Sequence, residues 1–110
     1  MDIREESRGE THLVTASGRL DSNSAAALEA VLPARAQANA KLVLDLAEVP
    51  YVSSAGLRVL LIGAKAARAA GHKLVLSGLS PSVREVFDIS GFTSIFAIEA
   101  DVDSALASLG

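Results

Sequence analysis

Residues 42–61 read LVLDLAEVPYVSSAGLRVLL, and this segment contains a strand pattern, a short loop and a helix pattern in succession. Its first five residues are almost all apolar, which is typical of a strand buried on both faces of a mainly parallel sheet. Further along, apolar residues recur at i, i+3, i+4 and i+7, which predicts an amphipathic helix over residues 55–70 with Gly71 as its C-terminal cap. The predicted core stripe of this helix is Leu57, Leu60, Leu61 and Ala64. A strand that feeds a helix in this way indicates an α/β fold.

Four further strands are predicted around this unit. Residues 3–6 and 13–16 lie on either side of a turn and predict a hairpin at the start of the chain. Residues 73–76 repeat the buried apolar pattern of residues 42–46, and residues 94–98 form a fifth apolar run. The expected sheet is therefore mixed and mainly parallel, with four to five strands.

About four helices are predicted between and after the strands, and each has a start or stop signal. Residues 21–24 offer several capping oxygens ahead of an alanine-rich helix, which Pro33 is expected to kink or end. Ser80-Pro81, followed by a capping box from Ser82 to Glu85, predicts a helix that ends before Gly91. Residues 101–109 predict a short terminal helix. The predicted order is β-β-α-β-α-β-α-β-α, and residues 1–110 are expected to form a single domain.

The composition excludes several classes of protein. Half of the 110 residues are apolar and 21% are charged, which is unlike a disordered chain. There is no cysteine, so disulfides, thiolate metal sites and thiol catalysis are excluded. The net charge of −3, the absence of a basic run and the 4% aromatic content argue against nucleic-acid binding. No segment is apolar enough to cross a membrane and no signal peptide is recognisable, so we expect a cytoplasmic protein without direct membrane insertion.

Two segments are expected at the carboxyl ends of strands, where open α/β sheets have their functional crevice. Residues 18–21 leave the second strand, and the loop that ends in Ser53-Ser54 leads into the strongest predicted helix. A serine in the first helical turn is a good phosphate acceptor site, because free backbone N–H groups and the helix dipole favour an anion there. The structural alternative is that Ser53 or Ser54 only caps the helix. No motif ties His12 or His72 to these serines, which argues against a hydrolase triad.

Three segments resemble the STAS domain, and specifically the bacterial anti-sigma factor antagonists: GRLD at residues 18–21, LDL at residues 44–46 and YVSSAGLRVLL at residues 51–61. The resemblance extends over the whole chain in element order and implies the STAS fold. In the family pattern the phosphorylatable serine lies two residues before a Gly-Leu pair, which implies that Ser54 is the acceptor. The chain departs from that pattern at Ser53, where an aspartate is common, and at Ala55, where Ser or Thr is common. Asp21 matches the family's acidic residue near the acceptor, which implies a role in shaping the docking or phosphate environment.

The resemblance implies an anti-sigma factor antagonist that regulates transcription by partner switching. Unphosphorylated, it would bind a serine-kinase anti-sigma factor, phosphorylation by that kinase would end the binding, and a serine phosphatase would restore it. The resemblance thus implies a phosphoprotein in signal transduction and not an enzyme, so no catalytic residue, cofactor or metal is expected. Two alternatives remain open: a STAS subunit that regulates a lipid-transport ABC system without phosphorylation, and a STAS module that senses a small ligand.

A partner surface is predicted on the helix that begins at the acceptor. Val59, Ile62 and Ala66 project roughly opposite the predicted core stripe, and an exposed apolar face there would suit a partner. The alternative is that a neighbouring helix covers part of this face. Gly56 is expected to serve a backbone or close-approach role, and Gly56→Ala is expected to fold normally but to bind more weakly. The predicted partner-binding residues are Asp21, Ser53, Ser54, Gly56, Arg58, Val59 and Ile62.

Overall fold

The computed structural model describes residues 1–110 and contains one five-stranded sheet whose strands follow in chain order. β1 (Asp2–Arg8) and β2 (Thr11–Ser17) form the predicted antiparallel hairpin. β3 (Lys41–Glu48), β4 (Lys73–Ser77) and β5 (Ala97–Glu99) continue the sheet as parallel strands. The predicted mixed, mainly parallel sheet is confirmed, and β2 to β5 all end at the same edge of it.

Five α-helices accompany the sheet: α1 (Ala25–Glu29), α2 (Leu32–Ala38), α3 (Ser54–Ala69), α4 (Pro81–Ile89) and α5 (Val102–Leu109). The single helix predicted between β2 and β3 is divided into α1 and α2. Pro33 explains the division, because it cannot continue a helix but suits the first turn of a new one. The cap of α4 is Ser80, whose Oγ accepts from Val83 N at 3.2 Å, so the predicted capping box that begins at Ser82 is wrong.

The two faces of the sheet bury separate apolar clusters, because successive side chains of a strand point to opposite faces. On one face, α1 to α4 cover a large cluster that includes Leu42, Leu44 and Leu76. On the other face, α5 alone covers a small cluster centred on Val43 and Val75. No helix in the structure combines the length and the apolar character needed to span a bilayer.

The fifth strand begins later than the sequence predicts. Residues 94–98 were expected to pair, but Phe92–Ser94 form a 3₁₀ turn and β5 starts at Ala97. The reason is an aromatic cluster: the ring of Phe96 lies 5.7 Å from that of Phe87 and 6.0 Å from that of Phe92, centroid to centroid. Within this run Phe96 therefore serves side-chain packing and not strand pairing.

Candidate functional site

The loop that follows β2 and the loop that follows β3 run side by side, and the second of them leads into α3. Leu20 N donates to Tyr51 O at 2.9 Å, and Leu20 O accepts from Ser53 N at 2.9 Å. Leu20 also forms a parallel bridge with Val52, and both side chains are buried. The two segments that the sequence predicts at the functional crevice therefore lie together at the start of α3.

Ser53 and Ser54 differ in their hydrogen bonding. Ser53 is the N-cap of α3: its backbone is extended, and its Oγ accepts from Gly56 N at 3.3 Å. Ser54 is the first residue of the helix, its side chain is exposed, and its hydroxyl has no hydrogen-bond partner in the protein. Capping is thus the role of Ser53, and the Ser54 hydroxyl stays accessible.

Asp21 lies in the loop beside the start of α3, next to a guanidinium group stacked on an aromatic ring. Arg19 Cζ is 4.3 Å from the centroid of the Tyr51 ring, and Arg19 Nε is 3.5 Å from Asp21 Oδ2. Asp21 Oδ1 also accepts from the backbone N of Asn23 at 3.0 Å. The hydrogen bond from Asn23, supported by Arg19, lowers the pKa of Asp21, so this carboxylate is charged at neutral pH.

Gly56 allows the loop of residues 18–21 to lie against α3. A Cβ atom at this position would be 2.6 Å from Leu20 Cγ and 2.9 Å from Leu20 O. The expected close-approach role of Gly56 is therefore confirmed. These distances argue against the expectation that Gly56→Ala keeps normal stability, because one of the two contacts is with a backbone atom that is itself hydrogen-bonded to Ser53.

The buried face of α3 differs from the one predicted. Val59 is only 2% exposed and belongs to the core, so its assignment to the partner surface is wrong. Leu61, predicted as core, is half-buried and does not pack against either apolar cluster. Leu57 and Leu60 are buried as predicted. The buried residues of α3 are Gly56, Leu57, Val59, Leu60, Gly63 and Ala67.

Close packing at glycine explains this difference. A Cβ atom at Gly63 would lie 2.6 Å from Leu32 Cδ2, so α2 packs against α3 at that point. Gly56 and Gly63 therefore lie on the buried face although their hydropathy does not mark them. Helix α3 contacts β4 as well as α1 and α2, and in this packing Val59 is buried and Ile62 is half-buried.

The structure brings Asp21, Ser53, Ser54 and Gly56 together, and Arg58 lies exposed one turn beyond Ser54. Sequence reasoning missed the contact between Arg19 and Tyr51 as part of this site. Arg19 lies within the GRLD segment, but nothing local in the sequence indicates that its guanidinium stacks on a residue of the β3–α3 loop.

Neither histidine of the chain contacts the accessible Ser54 hydroxyl. His12 Nε2 is hydrogen-bonded to a Glu5 carboxylate oxygen at 2.8 Å, and both residues lie on the β1–β2 hairpin. His72, which follows the C-terminal end of α3, is hydrogen-bonded through Nδ1 to Ala36 O at 2.9 Å. A nucleophilic serine requires an adjacent base. The two histidines therefore do not form a nucleophile–base pair with Ser54.

Comparison with known proteins identifies similar sequences. The family model described as "Mlab, STAS domain" matches residues 3–98. A protein of Bordetella bronchiseptica named "Putative anti-sigma factor antagonist BtrV" is 47% identical over 92 residues, which make up 83% of this chain and 79% of that protein.

Solved structures share the fold. The crystal structure of an anti-sigma factor antagonist from Mycobacterium paratuberculosis is 25% identical, covers 97% of this chain and 92% of its own, and superposes with a TM-score of 0.88. The Bacillus cell fate determinant SpoIIAA in its phosphorylated form is 20% identical and has a TM-score of 0.75, with 99% of this chain and 100% of that chain covered. The likeness to SpoIIAA is one of fold alone.

Proposed function

This chain belongs to the STAS domain family and its relatives are anti-sigma factor antagonists, and from that premise we propose that it binds a serine-kinase anti-sigma factor and is released when Ser54 is phosphorylated. The unphosphorylated protein occupies the kinase and so frees the sigma factor. A serine phosphatase returns the protein to its binding form. The protein itself is a binding module and a substrate.

The observation that carries this proposal is the exposed Ser54 hydroxyl at the first position of α3, with no hydrogen-bond partner. A kinase needs access to an acceptor hydroxyl, and Ser54 offers it while Ser53 is engaged as the cap. α3 is 16 residues long, so the positive end of its dipole favours the phosphate that results.

The phosphoryl transfer takes place in the active site of the kinase. Ser54 Oγ attacks the γ-phosphorus of ATP, the new O–P bond forms as the bond to the β,γ-bridging oxygen breaks, and ADP leaves. The hydroxyl proton passes to a base of the kinase. The phosphatase reverses the modification by hydrolysis, which returns the serine hydroxyl and releases inorganic phosphate.

Phosphorylation ends binding through charge. A phosphoserine carries about −1.5 to −2 charges at neutral pH, and burying it in an interface costs desolvation and repulsion. A loss of about 2.7 kcal/mol of binding free energy already lowers affinity a hundredfold. The charged Asp21 carboxylate near the same helix end adds to the negative charge that a partner meets after phosphorylation.

The test combines mass spectrometry with binding. The wild type, Ser54→Ala and the neighbouring control Ser53→Ala are incubated with ATP and an extract of the host, and their intact masses are measured. We expect one added phosphate on the wild type and on Ser53→Ala, and none on Ser54→Ala. We also expect immobilised Ser54→Ala to retain a protein kinase that the wild type releases when ATP is added.

A phosphate mapped to Ser53 in the Ser54→Ala variant would contradict the choice of acceptor. If no form of the protein gained phosphate and an ATPase of a lipid transporter were retained regardless of Ser54, the ABC-system alternative would replace the proposal. If the protein gained no phosphate and retained no ATPase but bound a small ligand saturably, the sensing-module alternative would be favoured.

A further inference from the structure

The exposed face of α3 carries a stripe of basic residues that begins at the acceptor serine. At 100° per residue, Ser54, Arg58, Leu61, Lys65 and Arg68 lie within about 80° of arc and extend for about 21 Å along the helix. Ser54 and the three cations are exposed, and Leu61 is half-buried at the middle of the stripe. α3 contains no acidic residue. We call these five residues the α3 stripe.

The cations of the α3 stripe have no ion-pair partner, whereas all but one of the cations outside it do. Six of the ten Lys and Arg residues have a carboxylate oxygen within 4.0 Å: Arg4, Arg8, Arg19, Arg35, Lys41 and Arg84. The four without such a partner are the three cations of the α3 stripe and Lys73, which lies at the start of β4. In a protein of net charge −3, unpaired positive charge is thus concentrated along one helix.

We infer that the α3 stripe is the docking surface for an acidic surface patch on the anti-sigma factor that carries an apolar contact for Leu61. This rests on the proposed function and names the chemistry of the partner. Three cations that lack internal partners are available to carboxylates of another protein, and complementary charge fixes orientation and speeds association. A central apolar residue surrounded by charged ones is the common arrangement of an interface.

The same stripe explains why a phosphate on Ser54 acts on binding beyond its own contact. Ser54 and Arg58 are four residues apart on one helix face, where opposite charges pair. A phosphate at Ser54 would therefore engage Arg58 and offset up to about two of the three positive charges of the stripe. An acidic partner then meets a nearly neutral surface, and its affinity falls without any change of fold.

The first test needs no identified partner and uses immobilised poly-L-glutamate as the probe. The variant Lys65→Glu/Arg68→Glu is compared with Arg8→Glu/Arg84→Glu, which changes net charge equally but at cations that are outside the stripe and ion-paired. We expect the stripe variant to bind about tenfold more weakly than the wild type and the control variant to bind nearly as well as the wild type. Binding should weaken as salt rises, because screening shortens the reach of exposed charges.

An equal loss of poly-L-glutamate binding in both double variants would overturn the inference, because net charge and not the α3 stripe would then control binding. Retention of the stripe variant at the wild-type level would overturn it as well. Co-sedimentation of the wild type with phosphatidylglycerol vesicles, or binding to duplex DNA, without binding to poly-L-glutamate would assign the stripe to a membrane or a nucleic acid instead. Circular dichroism of each variant confirms that it is folded before binding is measured.

The second test uses the kinase retained by Ser54→Ala. A carbodiimide joins an amine directly to a carboxylate, so Lys65 should become linked to an Asp or Glu of the kinase. Lys65→Arg keeps the charge but removes the amine, so it should lose the crosslink and keep the binding. Crosslinks from Lys41 or Lys73 alone would overturn the inference. If no kinase is retained at all, the proposed function fails, whereas the poly-L-glutamate result still decides whether the stripe recognises acidic chains.

Discussion

Ser53 and Ser54 are neighbours in sequence, but one is a structural residue and the other is not. Ser53 Oγ accepts a hydrogen bond from a backbone N–H of the first turn of α3, whereas the Ser54 hydroxyl makes no hydrogen bond within the protein. Ser53→Ala should therefore lower the free energy of unfolding by about 1 kcal/mol, the usual value of an N-cap. Ser54→Ala should leave it unchanged. Urea denaturation of both variants measures the difference, and equal midpoints would show that the cap contributes nothing here.

Gly56 lies in the first turn of α3, where the candidate site contacts the buried core through Leu20. Gly56→Ala would place a methyl group against Leu20 Cγ and the Leu20 carbonyl, and overpacking of this kind costs about 1–3 kcal/mol. We expect a lower melting temperature together with weaker kinase binding, because residues 18–21 would be pushed away from α3. Ser54→Ala, an alanine that faces solvent two residues earlier, is the control. A Gly56→Ala variant as stable as the wild type would show that Leu20 can move without cost.

At the scale of the element, α3 is a helix with two faces of different use. The glycines, Leu60 and Ala67 face the core, and the α3 stripe lies on the opposite side. Leu60 and Leu61 are adjacent leucines on different faces, so the same substitution at each of them compares the two faces directly.

Leu60→Ala should cost about 2–5 kcal/mol, because Leu60 is fully buried and its loss leaves a cavity. Leu61→Ala should cost about 1 kcal/mol or less, since it packs against neither apolar cluster. The binding of kinase should respond in the opposite order, with Leu61→Ala weaker and a folded Leu60→Ala close to the wild type. Thermal melting and calorimetry measure both effects, and equal destabilisation would place Leu61 in the core.

At the scale of the whole molecule, an ionic contact joins the edge hairpin to the helical layer. Glu5 on β1 accepts from Arg35 on α2 at 2.5 Å and from His12 on β2 at 2.8 Å. The hydrogen bond from Arg35, and then that from His12, lowers the pKa of Glu5. A carboxyl whose pKa is lower in the folded state stabilises the fold above its unfolded pKa and loses that contribution as pH falls through the folded pKa.

Stability should therefore fall as pH drops below about 4, the range in which free carboxyls titrate. Glu5→Gln should lower the melting temperature at neutral pH and make its decline in acid shallower, because this linkage is removed. Glu10→Gln is the matched control, since Glu10 is 89% exposed and its only ionic contact, with Lys41, is at 3.6 Å. Melting curves from pH 3 to 7 would contradict the prediction if Glu5→Gln and the wild type declined in parallel.

Local patterns in the sequence were sufficient for the element order and for the place of the site. The apolar runs predicted β3 and β4, the hairpin was predicted from its turn, and Pro33 marked a real break between two helices. These features depend on neighbours along the chain, and periodicity and backbone chemistry report them directly. The serine pair was predicted at the start of α3 for the same reason.

The orientation of α3 and the choice of Ser53 as its cap depend on contacts between distant parts of the chain. Hydropathy assigned Leu61 to the core and Val59 to the surface, because it counts apolar side chains and gives glycine no weight. The buried face of α3 is instead the one on which neighbouring segments come closest to the helix. There Leu20 and Leu32 occupy the space that the missing side chains of Gly56 and Gly63 leave open. The pairing of Arg19 with Tyr51 likewise arises only when two distant loops align, and no local pattern encodes such an encounter.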